Sequence, residues 1–248
     1  MDVFGQALSD YFTDHQTELL LLHNSYGEPE EMPVSIFFRE LLDFPELEVL
    51  ALSKCYGRVL DVGAGVGSHA LFLQKRRFDV TAIDQSQAAV DIMLQRGVKN
   101  AVAADFFELM REAEKSAASV NNPDSSNPQH TGRYDTLLFL MNGIGITGTL
   151  PGLRDFLSRA HHLLNDGGQL LFDSSDIRYL YEGEELPSNQ YYGEISYQYE
   201  YKEQKGNWFN WLYIDQHMLS RVAKETGWKY EMLFDDQEDQ YLARLTKA

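Results

Sequence analysis

Apolar and polar positions change their period along the chain, and the changes divide it into three stretches. Between residues 4 and 23 the apolar positions Phe4, Leu8, Tyr11, Phe12, Leu19 and Leu22 recur at roughly helical spacing. Residues 26–33 set Gly27, Pro29 and Pro33 among acidic side chains and read as a loop. The spacing predicts a second helix over 34–42, and Pro45 opens a third that runs to about Cys55. Residues 1–56 therefore read as an N-terminal helical segment.

From residue 57 short apolar runs alternate with helical periods. Arg58–Val62, Asp79–Ile83, Ala101–Ala104, Tyr134–Leu140 and Gln169–Phe172 read as strands. Helices are expected over 68–76, 86–96 with Gly97 to end it, 106–118, and 153–164 closed by Gly167-Gly168. The fourth strand is apolar throughout from Leu137, as a strand covered on both faces should be. Five such strands alternating with helices imply an α/β fold: a doubly wound, mostly parallel sheet with helices on both faces and right-handed crossovers. Residues 120–132 are rich in Ser, Asn and Pro and read as a surface loop without chemistry.

The last stretch alternates in the strand manner over 194–201 and 207–214 around Lys205-Gly206, which predicts a β-hairpin inserted after strand five. A helix over 216–226 ends at Gly227, and residues 228–234 and 240–246 read as two closing strands. The expected organisation is a segment 1–56 that caps the site, a core of 57–178 with 214–248, and a Tyr-rich insert over 179–213.

Charge narrows the function classes. Against 21 Lys and Arg stand 38 Asp and Glu, a formal −17, and no basic run exceeds Lys75-Arg76-Arg77. Such a surface repels phosphate backbones and anionic lipid, which argues against nucleic acid and membrane partners. The one cysteine, Cys55, cannot form an internal disulfide or a thiolate metal site. The N-terminal residues lack the basic-then-apolar order of a signal peptide, and Leu19–Leu22 is too short to span a bilayer. The expectation is a soluble protein of the reducing cytoplasm.

The sharpest chemical feature is Asp61-Val62-Gly63-Ala64-Gly65-Val66-Gly67, where the first core strand turns into its helix. Glycines there let a ligand approach the backbone, and the helix start offers free N–H groups. Asp84 ends the second strand 17 residues beyond Gly67, where a carboxylate can accept both ribose hydroxyls of an adenosine ligand. Ser68 stands where a dinucleotide fingerprint has its third glycine. Asp61 would repel a pyrophosphate but attract the ammonium and sulfonium of S-adenosylmethionine. The bland reading of Asp61 is a carboxylate capping the glycine loop's own amides.

On these residues the sequence resembles the class I S-adenosylmethionine-dependent methyltransferases, of the uncharacterised or small-molecule type, over roughly residues 57–172. The resemblance implies a seven-stranded sheet with one antiparallel strand. It also implies that Asp61, Gly63, Ala64, Gly65 and Gly67 hold the methionyl part of the cofactor. Asp84 with Gln85 would hold the ribose, and Asp105-Phe106 would flank the adenine. Leu140-Met141-Asn142-Gly143 occupies the strand-four signature near the transferred methyl, which makes Asn142 the candidate both for cofactor contact and for positioning the acceptor. Its alternative is a turn-former before glycine. Asn142-Gly143-Ile144-Gly145 matches neither the signature of amino-methylating nucleic-acid enzymes nor the metal-binding pattern of catechol enzymes.

The implied reaction is in-line displacement of a methyl group onto a small-molecule acceptor, with S-adenosylhomocysteine as product and no metal. The alternatives are an NAD(P)-dependent oxidoreductase and a non-catalytic cofactor-binding module. The seven histidines show no metal-ligand spacing; His69 follows the glycine loop closely enough to touch a ligand. Asp173-Ser174-Ser175-Asp176 could line the substrate side, against the blander reading of a helix cap. Tyr179, Tyr181, Tyr191, Tyr192, Tyr197, Tyr199, Tyr201 and Tyr213, with Trp208 and Trp211, crowd the insert. They suit an aromatic or cationic acceptor; the alternative is an ordinary aromatic-rich sheet, buried against a second copy in a homodimer.

Overall fold

The computed structural model describes residues 2–14, 18–118 and 133–248, so the stretch read as a loop at 120–132 lies outside the described residues. The core sheet contains β3 (Arg58–Val62), β4 (Asp79–Asp84), β5 (Ala101–Ala103), β6 (Tyr134–Phe139), β7 (Leu164–Ser175), β11 (Trp228–Asp235) and β12 (Gln240–Lys247). Their order is β11-β12-β7-β6-β3-β4-β5. The β3–β4, β3–β6, β4–β5 and β6–β7 pairs are parallel, and β12 runs antiparallel to both its neighbours. This is the doubly wound sheet that the strand–helix alternation predicts, with the seven strands and one reversed strand that the resemblance implies.

The sheet's two faces explain the unbroken apolar strands. Leu60, Leu137, Phe139, Leu170 and Phe172 pack with α5 (Phe106–Ala118), α6 (Leu150–Ala160) and α7 (Gln216–Glu225). Val59, Leu138, Leu171, Val80 and Ala82 pack on the other face with α2 (Glu46–Lys54), α3 (Ser68–Lys75) and α4 (Gln87–Arg96). Each fully buried side chain of this kind contributes roughly 1.5–3 kcal/mol. Local signals place the helix ends. Ser86 accepts from the Ala89 amide at the start of α4, Thr149 from Gly152 in α6, and Asp215 from His217 and Met218 in α7. Gly97 ends α4 with φ of 97°.

The N-terminal segment corrects the sequence reading. Helix α1 covers Val3–Asp14, but Leu20–Asn24 is a strand, β1, and Glu30–Met32 in the expected loop is β2. Four consecutive leucines, 19–22, carry no period of their own; pairing with the insert makes them a strand. The helix expected over 34–42 is two short 3-10 turns, Val34–Phe38 and Leu41–Asp43, broken by Arg39 at φ −55° and ψ 151°.

The insert is likewise more than a hairpin. Strands β8 (Glu194–Tyr201), β9 (Gln204–Lys205) and β10 (Phe209–Leu212) join β1 and β2 in a second, antiparallel sheet of order β10-β8-β1-β2, with β9 on β8. Its tight turn lies at Lys202-Glu203, both at positive φ, rather than at Lys205-Gly206. Gly167-Gly168 lie inside β7, in the bulge where its register to β6 shifts, and the preceding helix already ends at Ala160. Tyr192, Tyr197 and Tyr201 are buried within the chain itself, so no second copy is required to cover them.

Candidate functional site

The second sheet and α1 pack against the glycine loop after β3 and the loop after β6. Val3, Ala7 and Leu8 of α1 form one cluster with Leu20, Tyr201, Val66 of the glycine loop, and Ala89 and Ile92 of α4. At the other end of the cap, Trp211 rests directly against the backbone of Gly145, in the loop after β6. An alanine at Gly145 would drive its Cβ into that indole. Gly145→Ala is expected to destabilise the protein by about 1–3 kcal/mol and to shift tryptophan emission, both read in a denaturant titration followed by fluorescence.

Beneath the cap, the turn from β3 into α3 has Gly63, Gly65 and Gly67 all at positive φ, at 67°, 54° and 81°. A side chain at Gly67 would strike Val98 and Met93, whereas above Gly63 there is nothing within 4 Å of an added Cβ. The first glycine thus faces open space and the last is a packing requirement. Asp84, at the end of β4, accepts the Gly65 amide on Oδ2 and the Ser86 amide on Oδ1, each at 2.9 Å. It is therefore Asp84, not Asp61, that caps the glycine loop, and its unused lone pairs remain for a ligand.

Asp61 is buried at the end of β3, and its Oδ2 has no hydrogen-bond partner. Burial pushes its carboxyl up to about 6, with Asp84 adding to the rise and His69 opposing it. Burial likewise lifts Asp84 to about 6 against the Ser86 and Gly65 amides. Two acids held at such values in one cleft are poised for positive charge. The Asp61 oxygen and the space over Gly63 fit an ammonium-bearing ligand laid along the loop.

Comparison with known proteins agrees. The methyltransferase domain family matches residues 34–233. The chain belongs to the S-adenosylmethionine-dependent methyltransferases. A solved relative, a S-adenosylmethionine-dependent methyltransferase from Bacteroides fragilis in complex with S-adenosylhomocysteine, is 37% identical, with TM-score 0.83 over 100% of this chain and 95% of that one. The CcbJ methyltransferase of Streptomyces caelestis is 13% identical, with TM-score 0.59 over 99% of this chain and 98% of that one. A Pyrococcus horikoshii protein is 15% identical, with TM-score 0.55 over 82% and 88%. These last two show the fold alone. No curated protein matches the chain by sequence.

In this methyltransferase the expected residues do not all stand in the same relation to the cleft. Ala64 holds the loop to β4 through Ile83 O, at 3.0 Å, and Gln85 is exposed beside Asp84. Asp105 caps α5, accepting the Phe107 and Glu108 amides at 2.8 and 3.1 Å. The ring of Phe106 departs from the expectation. It is buried against Phe139 and Phe156, so only its backbone is free for an adenine. Met141 and Asn142 both adopt left-handed φ, at 62° and 54°, a strained pair for residues with side chains.

What holds that strained pair is Asp173, whose role the sequence left open. Its Oδ2 accepts the Asn142 amide at 2.8 Å, and Ser175 Oγ donates to Asn142 Oδ1 at 3.2 Å. Asp173 Oδ1 is a second buried oxygen without a partner, and burial lifts this carboxyl to about 7.

A buried ionic network also escaped the sequence. Glu48 of α2 binds Arg39 at 2.7 Å and His69 Nε2 at 2.8 Å. Burial pushes the Glu48 carboxyl up, but His69 and Arg39 outweigh it and hold it low. His69 thus faces α2 and acts on Asp61 and Asp173 through its field. Only the acidic and basic residue types hinted at this, since the partners lie on three separate elements.

Two other features lie apart from the cleft. Among the described residues, Asp236, Glu238 and Asp239 come close enough to share an ion, but they sit in the β11–β12 turn, where Asp236 accepts the turn's own amides. A cavity of about 80 Å³ lined by Arg133, His161, His162 and Lys247 opens at the opposite, amino-terminal edge of the core sheet.

Proposed function

We propose that this methyltransferase transfers the methyl group of S-adenosylmethionine to a small-molecule acceptor held between the core sheet and the second sheet. The observation that carries the reading is the buried, unpartnered Asp61 oxygen beside the open space over Gly63. When bound, the cofactor supplies a methyl carbon made electrophilic by its sulfonium. Asp61 receives the cofactor's ammonium, Asp84 receives the ribose hydroxyls, and the exposed Asp105 with the Phe106 backbone flanks the adenine. Asn142, pinned by Asp173 and Ser175, presents its side chain where the acceptor must line up with the methyl. Positioning of this kind can by itself supply much of the rate enhancement.

A small acceptor fits the closure of the cap over the strand ends and the −17 charge, which repels nucleic acid. A cytoplasmic setting belongs to the same reading: the one thiol, Cys55, is buried, and burial raises it to about 12. No helix of the described residues is long and apolar enough to cross a membrane.

Calorimetric titration with S-adenosylhomocysteine tests the cofactor site without any acceptor, with NAD and NADP run alongside. Micromolar binding of S-adenosylhomocysteine with silence from both dinucleotides is the expected result. Tight dinucleotide binding, or silence from all three, would defeat the reading.

A further inference from the structure

The inward face of the second sheet carries one carboxylate, where strand alternation calls for an apolar residue. Leu22 pairs with Glu30 on β2 and with Tyr199 on β8, while Asn24 pairs with Tyr197, which pairs with Phe209 on β10. Residues directly opposite in a ladder share a face. Glu30 therefore stands on the side of Tyr197, Tyr199 and Phe209, and its neighbour Glu31 faces outward. Glu30 Oε1 accepts from the Tyr26 hydroxyl at 2.5 Å and from Asn24 Nδ2 at 3.3 Å. Among the described residues no Lys, Arg or His forms an ion pair with it.

Rings lead inward from this carboxylate. Tyr26 meets Tyr197 edge to face at 6.5 Å, and the Tyr197 hydroxyl lies 3.1 Å from that of Tyr213. Tyr199 stacks on Phe4 at 5.0 Å and feels the charge of Asp84. All four phenols are held above their ordinary range, first by burial, with Glu30 adding at Tyr26, Tyr197 and Tyr213. They are neutral rings at any physiological pH.

A row of rings, Phe4, Tyr199, Phe209, Tyr197 and Tyr26, thus ends at an unpaired carboxylate on the exposed rim. Ring faces attract cations, a fixed carboxylate adds to that attraction and repels anions, and a neutral solute gains from neither charge term. The −17 charge draws cations to the mouth as well. We propose that the acceptor is a small organic amine that enters as its ammonium form, with Glu30 as counter-ion and Tyr26, Tyr197 and Tyr213 as its cage. The proposal rests on the methyltransferase reading of the glycine-loop cleft. An ammonium nitrogen has no lone pair, so it first releases a proton to solvent at the Glu30 rim. The freed lone pair then forms the C–N bond as the S–C bond breaks, and the S–C electrons remain on sulfur. The product amine leaves with the positive charge.

Three probes of one ring size test this on the full chain saturated with S-adenosylhomocysteine: benzyltrimethylammonium, benzyl alcohol and phenylacetate, each titrated by NMR. The cation is expected to bind at least about tenfold more tightly than the other two. Glu30→Gln, which keeps an oxygen for Tyr26 on an exposed edge strand, should lower the cation's affinity about tenfold and leave S-adenosylhomocysteine affinity unchanged. Equal affinity for the three probes, or a cation affinity unmoved in Glu30→Gln, overturns the amine assignment while the cofactor site stands. Absence of S-adenosylhomocysteine binding to the unmutated protein overturns the methyltransferase reading and this one with it.

Discussion

Asp61→Asn is expected to raise the thermal midpoint of the ligand-free protein at pH 8 while weakening S-adenosylhomocysteine by roughly ten- to a hundredfold. The two effects share one cause. Burial holds the Asp61 carboxyl at about 6, above its value of 3.8 in the unfolded chain. The folded state therefore binds this proton more tightly. Its stabilising contribution is full below pH 3.8 and is lost as pH rises through 6. Above that window the ionised carboxylate, with one buried oxygen unpartnered, costs about 3 kcal/mol, and asparagine removes the cost. The midpoint should rise by roughly 5 °C or more at pH 8, and the gain should vanish near pH 4.

In the proposed function the same charge receives the cofactor's ammonium, so stability and binding are expected to move in opposite directions. Melts of both proteins across pH, with and without S-adenosylhomocysteine, measure both effects. A ligand-free midpoint unchanged at pH 8 would mean that the Asp61 oxygen is solvated after all. An unchanged affinity would take the residue out of the site.

Asp84→Ala is expected to weaken S-adenosylhomocysteine by about 1.5–3 kcal/mol, a loss of one to two orders of magnitude. The side chain does two things at once. In the proposed function it accepts the ribose hydroxyls, and in the structure it accepts the Gly65 and Ser86 amides. Alanine removes both roles and frees the glycine loop. Asp84→Asn keeps one acceptor oxygen and should fall between alanine and the unmutated protein. A folded Asp84→Ala protein with unaltered affinity would show that Asp84 serves only the loop.

The glycine loop and its flanking acids were legible because their requirements are local. A left-handed φ at Gly63, Gly65 and Gly67 and a carboxylate ending each of two adjacent strands can be read from spacing alone. The ends of α4 at Ser86 and Gly97 were marked in the same way by residues within one turn of their partners. Asp105 stands just after β5, where the resemblance implies an acid, whereas the ring of Phe106 lies in the core. Phe106 opens α5, and its packing against Phe139 of β6 and Phe156 of α6 is not written in the neighbouring residues.

Pairings across long separations were not legible. Leu20–Asn24 pairs with Glu194–Tyr201, so a segment with helical spacing became a strand because a distant edge needed a partner. The Arg39–Glu48–His69 network and the hold of Asp173 on Asn142 arise where α2, α3, β6 and β7 meet, and none of these contacts leaves a periodic trace.

The sequence by itself determined the doubly wound core, the glycine-loop turn and the acids that face it, since strand–turn–helix chemistry is settled within about twenty residues. Only the tertiary structure decided that residues 20–32 and 194–212 form one sheet over the strand ends. It alone decided that Glu30 shares the tyrosine face of that sheet at its exposed rim and that Asp61 and Asp173 each keep an oxygen unpaired. Face and burial in a sheet follow from register with partners far away in the chain, and a shift of one residue would reverse them all.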